Sequence, residues 1–188
     1  TAILAGDALQ ALAFEVLAKE TQITPVTRLE MIRLFASAVG WQGMVGGQAL
    51  DIVSANGPRL SLEKIEQMYR AKTGALFKLC VQLGAIASGL RIKDQRFQKL
   101  TTFGEQIGIA FQIVDDILDI TQPSEVIGKD AGSDVTSHKS TFITHIGLSQ
   151  ARDIALSKLE EALTNLEVLG LRGGPLEDIA SATVNRVS

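Results

Sequence analysis

The sequence predicts an all-α bundle. Apolar residues recur at steps of three and four along most of the 188-residue chain, turn chemistry separates the runs, and no alternating strand pattern or fixed repeat appears. With 46% of residues apolar, there is enough to enclose the core of one helical domain spanning residues 1–188.

Leu9, Leu12, Ala13, Val16 and Leu17 carry the first expected helix, over roughly residues 7–19. Thr24-Pro25 opens the second, because a threonine oxygen caps free N–H groups and proline fits the first helical position. That helix is expected to run through Leu29, Ile32, Phe35 and Val39, to loosen at Gly46-Gly47 and to end in the turn residues Asn56-Gly57-Pro58. Ser61 restarts the chain with Glu63 in the first turn, where the helix dipole favours negative charge. The third helix carries Ile65, Met68, Lys72, Leu76, Leu79, Leu83 and Ile86, which puts Lys72 inside the apolar stripe. A fourth and long helix is expected from about Asp94 to Ile120, through Phe97, Leu100, Gly104, Ile107, Phe111, Val114 and Leu118. Residues 121–138, rich in Ser, Gly, Pro and Asp, break that period and read as a loop whose length hints at function. A short helix near Thr141–Ile146 and a longer one from about Ser149 to Leu169 follow, stopped by Gly170. Gly173-Gly174-Pro175 makes a turn into a last helix with Leu176, Ile179 and Val184.

Charge and rare residues narrow the function. Twenty-one acidic against 18 basic side chains, with no run of Lys or Arg, leave no electrostatic footprint for nucleic acid or an anionic membrane surface. No apolar stretch is long enough for a transmembrane helix, and Thr1-Ala2-Ile3-Leu4-Ala5-Gly6-Asp7 lacks the basic start of a signal peptide. Cys80 is the sole cysteine, so no internal disulfide can form and the expected address is cytoplasmic. The two histidines, His138 and His145, match no H-E-x-x-H or E-x-x-H pattern, so any metal should be one that prefers oxygen.

The sharpest feature is Asp115-Asp116-Ile117-Leu118-Asp119 near the end of the long helix. With Gln112 at 0°, about 100° per residue places Asp115, Asp116 and Asp119 at about −60°, +40° and −20°, within one arc. Composition alone would generate D-D-x-x-D only about 0.03 times in a chain with 10 aspartates, so chance is a poor explanation. Carboxylates this close resist joint ionisation unless a cation lies among them, and Asp near a helix C-terminus also opposes the dipole. Mg²⁺ takes oxygen ligands and commonly links one or two carboxylates to substrate phosphates, so the pattern points to Mg²⁺–diphosphate. Lys72-Thr73-Gly74 sets an ammonium, a hydroxyl and bare backbone on an inward turn, a grouping suited to phosphate oxygens, although a lone lysine in a stripe more often buries its stem and reaches water. Gly128-Lys129-Asp130 and His138-Lys139-Ser140-Thr141 add two cations after the acidic helix. Residues 115–139 carry six acids against Lys129 and Lys139, a local −4, so the chain's net −3 averages one acidic segment with a scaffold of +1.

In this order, Gly46-Gly47-Gln48-Ala49-Leu50-Asp51, Lys72-Thr73, Phe111-Gln112 with the aspartate motif, Gly128-Lys129 and Lys139-Ser140-Thr141 resemble the trans-prenyltransferase (polyprenyl synthetase) family, most of all its bacterial farnesyl and geranylgeranyl diphosphate synthases. The resemblance covers the chain from Gly6-Asp7-Ala8-Leu9 to Asn185-Arg186. It implies an isoprenoid-synthase-type helical bundle and a condensation of isopentenyl diphosphate with an allylic diphosphate. By that resemblance Asp115, Asp116 and Asp119 form the Mg²⁺ set, with Asp115 and Asp119 binding and Asp116 supporting them. Lys72, Lys129 and Lys139 would hold the allylic diphosphate, and Thr73 and Gln112 would set oxygens near the cationic centre. Phe77, Phe103 and Phe111 can line an apolar cavity, and a homodimer is implied, with the first helix or Trp41-Gln42-Gly43-Met44 contributing. The family carries two aspartate-rich motifs, of which this sequence holds only the second; the first would precede Thr1, and the abrupt apolar start predicts that N-terminal helices are missing and that this chain alone is an incomplete catalytic unit. A noncatalytic partner of a catalytic subunit is the alternative, as is a class I terpene cyclase, although no Asn-Asp-x-x-Ser-x-x-x-Glu pattern occurs.

Overall fold

A computed structural model describes residues 1–55, 57–122 and 140–187, and those residues form helices joined by turns. In chain order they are α1 (Ala2–Lys19), α2 (Pro25–Val39), α3 (Met44–Ala55), α4 (Leu62–Tyr69), a π-helical turn (Arg70–Gly74), α5 (Ala75–Ala87), α6 (Gln95–Thr121), α7 (Phe142–Val168), α8 (Pro175–Val184) and a short 3₁₀ turn (Asn185–Val187).

Local chemistry sets most of the boundaries. Thr24 Oγ1 accepts from the Thr27 N–H at 3.2 Å ahead of Pro25 at the start of α2, and Ser61 Oγ accepts from the Lys64 N–H at 3.4 Å to open α4. Asp94 caps α6 through the Arg96 N–H at 2.8 Å. Thr141 and Thr144 cap α7 reciprocally, each side chain accepting from the other's backbone N–H. A cap of this kind contributes about 1 kcal/mol.

α6 is the axis of the fold. Its 27 residues span about 40 Å, and its buried positions surround the helix, from Phe97 and Phe103 through Ile109, Ile113, Val114 and Ile117. It packs most extensively on α7, then on α5 and the π-turn, with α8 closing another side. Ile109, Ile113, Val114 and Ile117 show no exposed surface, and burying each side chain contributes roughly 1.5–3 kcal/mol.

Three boundaries differ from the sequence reading. The first helix begins at Ala2, and its stripe is not core: Leu9, Leu12 and Val16 are exposed, while Leu17 packs inward and Phe14 meets Phe35 edge to face at 4.9 Å. The second run breaks after Val39, and Gly46-Gly47 lies within α3 instead of loosening a longer helix. A Cβ on Gly47 would sit 2.3 Å from the Lys72 backbone nitrogen, so glycine here permits close packing. The third run divides into α4, the π-turn and α5. The short helix expected near Thr141–Ile146 and the longer one after it are both present as the two parts of α7, separated at Gly147, whose φ of 82° and ψ of 166° are not helical.

Candidate functional site

The site forms where three elements meet: α3, the π-turn and the second half of α6. The π-turn inserts a wide turn into the α4–α5 run, a feature common where helices carry function. Two glycine contacts let its neighbours approach. A Cβ on Gly47 of α3 would strike Lys72 and Ala71 backbone, and a Cβ on Gly108 of α6 would sit 2.5 Å from Gly74 Cα.

This packing places Lys72, Thr73, Gln112 and Asp116 in two neighbouring hydrogen-bonded sets. Lys72 Nζ meets Asp51 Oδ2 of α3 at 2.6 Å, with Asp51 buried and Lys72 half-buried. The lysine is therefore charge-balanced from within the fold and does not snorkel to bulk water. Thr73 Oγ1 donates to Gln112 Oε1 at 2.8 Å, and Gln112 Nε2 donates to Asp116 Oδ1 at 3.2 Å. The hydroxyl of Tyr69 donates to the other oxygen, Asp116 Oδ2.

The three aspartates occupy three settings. Asp115 is half-buried, whereas Asp116 and Asp119 are buried at 4% and 1% exposure. Both oxygens of Asp116 hold donors from protein side chains, while Asp115 and Asp119, four apart, share its face of α6. Among the described residues no three His, Cys, Asp or Glu side chains gather into a ready-made metal cage. The Asp115 and Asp119 carboxylates on one face of α6 supply hard oxygens of the kind Mg²⁺ takes when one or two carboxylates link it to substrate phosphates. Lys129 and Lys139 lie outside the described residues, as do Gly128, Asp130 and His138. Ser140 accepts from the Leu60 N–H at 3.1 Å and Thr141 caps α7, so both have structural work there.

An apolar groove of about 590 Å³ leads away from this polar group. Leu76 and Phe77 stand one turn beyond Thr73 on α5, and Ile107 stands about one turn before Phe111-Gln112 on α6. The groove continues to Ser88 at the end of α5 and Leu100 on α6, about 18 Å along the helices, with α8 contributing Leu176 and Ile179. Its size suits a small-molecule site with an apolar body. Of the three phenylalanines expected to line such a space, Phe77 and Phe103 do so. Phe111 stacks on Phe77 at 5.2 Å between centroids, and the Arg186 guanidinium covers the Phe111 ring at 4.4 Å.

Three participants have no role in the sequence reading: Asp51 falls in a motif without one, Arg186 is only a C-terminal match, and Tyr69 lies outside every motif. A signal existed for Tyr69, since it precedes Thr73 by four and so falls on the same face as the Lys72-Thr73 pair.

Comparison with known proteins shows the family and the fold. The model of the family described as polyprenyl synthetase matches residues 1–168. The farnesyl diphosphate synthase of Haemophilus influenzae is 45% identical over 168 residues, covering 89% of this chain and 56% of that protein. The farnesyl diphosphate synthase of Escherichia coli is 40% identical over 190 residues, covering 98% of this chain and 63% of that protein. A crystal structure of a geranyltransferase from Helicobacter pylori, complexed with magnesium and isoprenyl diphosphate, superposes with a TM-score of 0.81 at 34% identity, covering 98% of this chain and 59% of that one. A geranylgeranyl pyrophosphate synthetase from Pyrococcus horikoshii gives a TM-score of 0.82 at 26% identity, covering 98% and 67%. The chain thus spans about three-fifths of the length of the curated relatives it matches.

Proposed function

The chain belongs to the polyprenyl synthetase family and has its all-helical isoprenoid synthase fold, and from that premise we propose that it is the larger part of a farnesyl or geranylgeranyl diphosphate synthase. The reaction is isoprenoid chain elongation. The C–O bond of an allylic diphosphate breaks, releasing diphosphate and leaving an allylic cation. The double bond of isopentenyl diphosphate attacks that cation, a new C–C bond forms, and the departing diphosphate takes the proton that restores the double bond.

The observation that supports this reading best is the junction of two environments, a carboxylate, lysine and hydroxyl group at one end and an apolar groove at the other. Lys72 binds a phosphate oxygen, exchanging its contact with Asp51 for one with substrate. Thr73 donates its proton to Gln112 and so turns oxygen lone pairs elsewhere, toward a developing positive charge. The groove takes the hydrocarbon chain and excludes water that would quench a cation. Asp115 and Asp119 would hold Mg²⁺, with Asp116 supporting them, and the ion supplies charge neutralisation of the diphosphate leaving group when bound. Lys129 and Lys139 belong to the same reading as further diphosphate contacts.

A homodimer belongs to it too, since Ile3, Leu4, Val26, Leu29 and Trp41 stand exposed on α1, α2 and the turn after α2. No helix among the described residues is long and apolar enough to cross a membrane. A cytoplasmic site of action is part of the proposal. The alternative of a noncatalytic partner is less well supported, because the side chains this reading assigns to the site remain and make the Lys72–Asp51 and Thr73–Gln112–Asp116 contacts.

The test is incubation with isopentenyl and dimethylallyl diphosphates and Mg²⁺, with prenyl products read by mass spectrometry. The 188-residue chain alone is expected to bind the allylic diphosphate without elongating it. Elongation by this chain alone would refute the incomplete-unit reading. Absence of product from a version extended to the length of its relatives would refute the synthase reading.

A further inference from the structure

Tyr69 lies outside every motif that pointed to function, yet its contacts tie that site together. It is the last residue of α4, 3% exposed, with its ring 5.7 Å from that of Phe142 and its hydroxyl on Asp116 Oδ2. Residues 69 and 73 are four apart across the π-turn, and residues 112 and 116 are four apart on α6. Tyr69 meets Asp116, Thr73 meets Gln112, and Gln112 meets Asp116 along the helix. The four side chains thus close a bracket between two antiparallel segments, with the ammonium-bearing Lys72 inside the bracketed turn.

The bracket fixes directions that neither helix fixes alone. An ionised carboxylate only accepts, so a donor on each oxygen holds Asp116 in one orientation and draws part of its charge away from Asp115 and Asp119. Because the Gln112 amide group is committed to Asp116, its oxygen must face Thr73, and the Thr73 proton is committed in turn. A hydroxyl at position 69 therefore sets the orientation of a hydroxyl four residues away through two intermediates.

We propose that Tyr69 is a positioning residue of the diphosphate site, holding Asp116 as a support for the metal-facing aspartates and locking the Lys72-Thr73 turn in register with α6. The inference rests on the Mg²⁺–diphosphate reading above and adds to it a residue that reading does not require.

The experiment is calorimetric titration of the 188-residue chain with inorganic diphosphate in the presence and absence of Mg²⁺, for wild type, Tyr69→Phe, Asp116→Asn and the double variant. Each single variant is expected to weaken Mg²⁺-dependent binding roughly tenfold, the effect of losing a hydrogen bond to a charged group. The double variant is expected to lie within about twofold of either single variant, because both break the same link. Melting curves run alongside separate the roles, since a merely structural tyrosine would lower the melting temperature and leave the affinity of the folded protein unchanged. Wild-type affinity in Tyr69→Phe, or losses that multiply in the double variant, would overturn the inference. Should Tyr69→Phe not fold, Asp116→Asn against Asp115→Asn decides the matter: the support role requires the smaller loss at Asp116, and an equal or larger loss there overturns it. Failure of the wild type itself to bind Mg²⁺-diphosphate would remove the functional reading and this inference with it, whereas tight wild-type binding with an indifferent Tyr69→Phe removes the inference alone.

Discussion

Replacing Gly47 with alanine tests the packing that places Lys72. The added Cβ would stand 2.3 Å from the Lys72 nitrogen, 2.6 Å from its Cα and 2.9 Å from the Ala71 carbonyl carbon, against ordinary contacts of 3.4–4 Å. All three are backbone atoms, so no side chain can swing aside, and α3 must retreat by about 1 Å. Overpacking of this kind costs about 1–3 kcal/mol, partly offset by a helix-propensity gain of up to ~1 kcal/mol for Gly→Ala. Because all three clashes are with backbone, the cost is taken in the upper half of that range, and a net loss of about 1–2 kcal/mol corresponds to roughly 2–8 °C in melting temperature for a chain of this size. Gly84→Ala in the middle of α5 is the matched control, because a Cβ there meets nothing within 4 Å. It gains the propensity term without the clash and should melt roughly 2–4 °C higher. The retreat of α3 also carries Asp51 from Lys72, so Gly47→Ala should weaken diphosphate binding while Gly84→Ala leaves it intact. The assay is thermal unfolding followed by circular dichroism, paired with calorimetric titration of diphosphate and Mg²⁺. A Gly47→Ala protein that melts at or above the wild-type temperature would refute the argument.

Further outcomes follow from the same contacts. Lys72→Met leaves Asp51 buried without its cation, and should lower unfolding free energy by about 1–3 kcal/mol, less than a fully buried pair because Lys72 is half-exposed to solvent screening; adding Asp51→Asn should recover most of that loss in a denaturant titration. Thr73→Val removes the donor to Gln112 at a stability cost of about 1 kcal/mol, and in an active, full-length version should lower kcat more than it raises KM. Lys78 is expected to make stability depend on pH in the alkaline range. Its burial, and next the neighbouring Arg70 charge, hold its pKa below the usual lysine value, so the unfolded chain binds more protons there. Its contribution therefore penalises folding at neutral pH and recedes as pH rises through the lowered pKa toward the ordinary value, and Lys78→Met should flatten that limb of the stability curve.

The helices were legible where apolar period and caps agree, as at Thr24-Pro25, Ser61, Asp94 and Thr141, each of which opens the element expected of it. The reading failed where tertiary contact decides. The π-turn keeps the three-and-four spacing of its neighbours, so nothing in the local pattern separates Arg70–Gly74 from a continuous helix. Gly46-Gly47 read as a weak point because glycine lowers helix propensity, but its value lies in the missing side chain beneath Lys72. Much of the apolar stripe of α1 faces outward within this chain, since periodicity identifies a face to be covered and not what covers it. For the candidate site, helical arithmetic grouped Gln112, Asp115, Asp116 and Asp119 on one arc, but could not distinguish a carboxylate aimed at a tyrosine from its neighbours. Asp51 and Tyr69 were invisible as partners because their contacts reach across the fold, 21 and 47 residues away in sequence.

The most direct measurement of the central claim is Mg²⁺-dependent binding of diphosphate by wild type and Asp115→Ala, with helix content followed by circular dichroism. Asp115 is half-buried near the end of α6, and among the described residues no cap or core contact depends on it. The wild-type chain should bind diphosphate only with Mg²⁺ present, and Asp115→Ala should lose that binding with its helicity unchanged. Equal affinity in the two proteins would contradict the assignment of this helix face to the metal–diphosphate group.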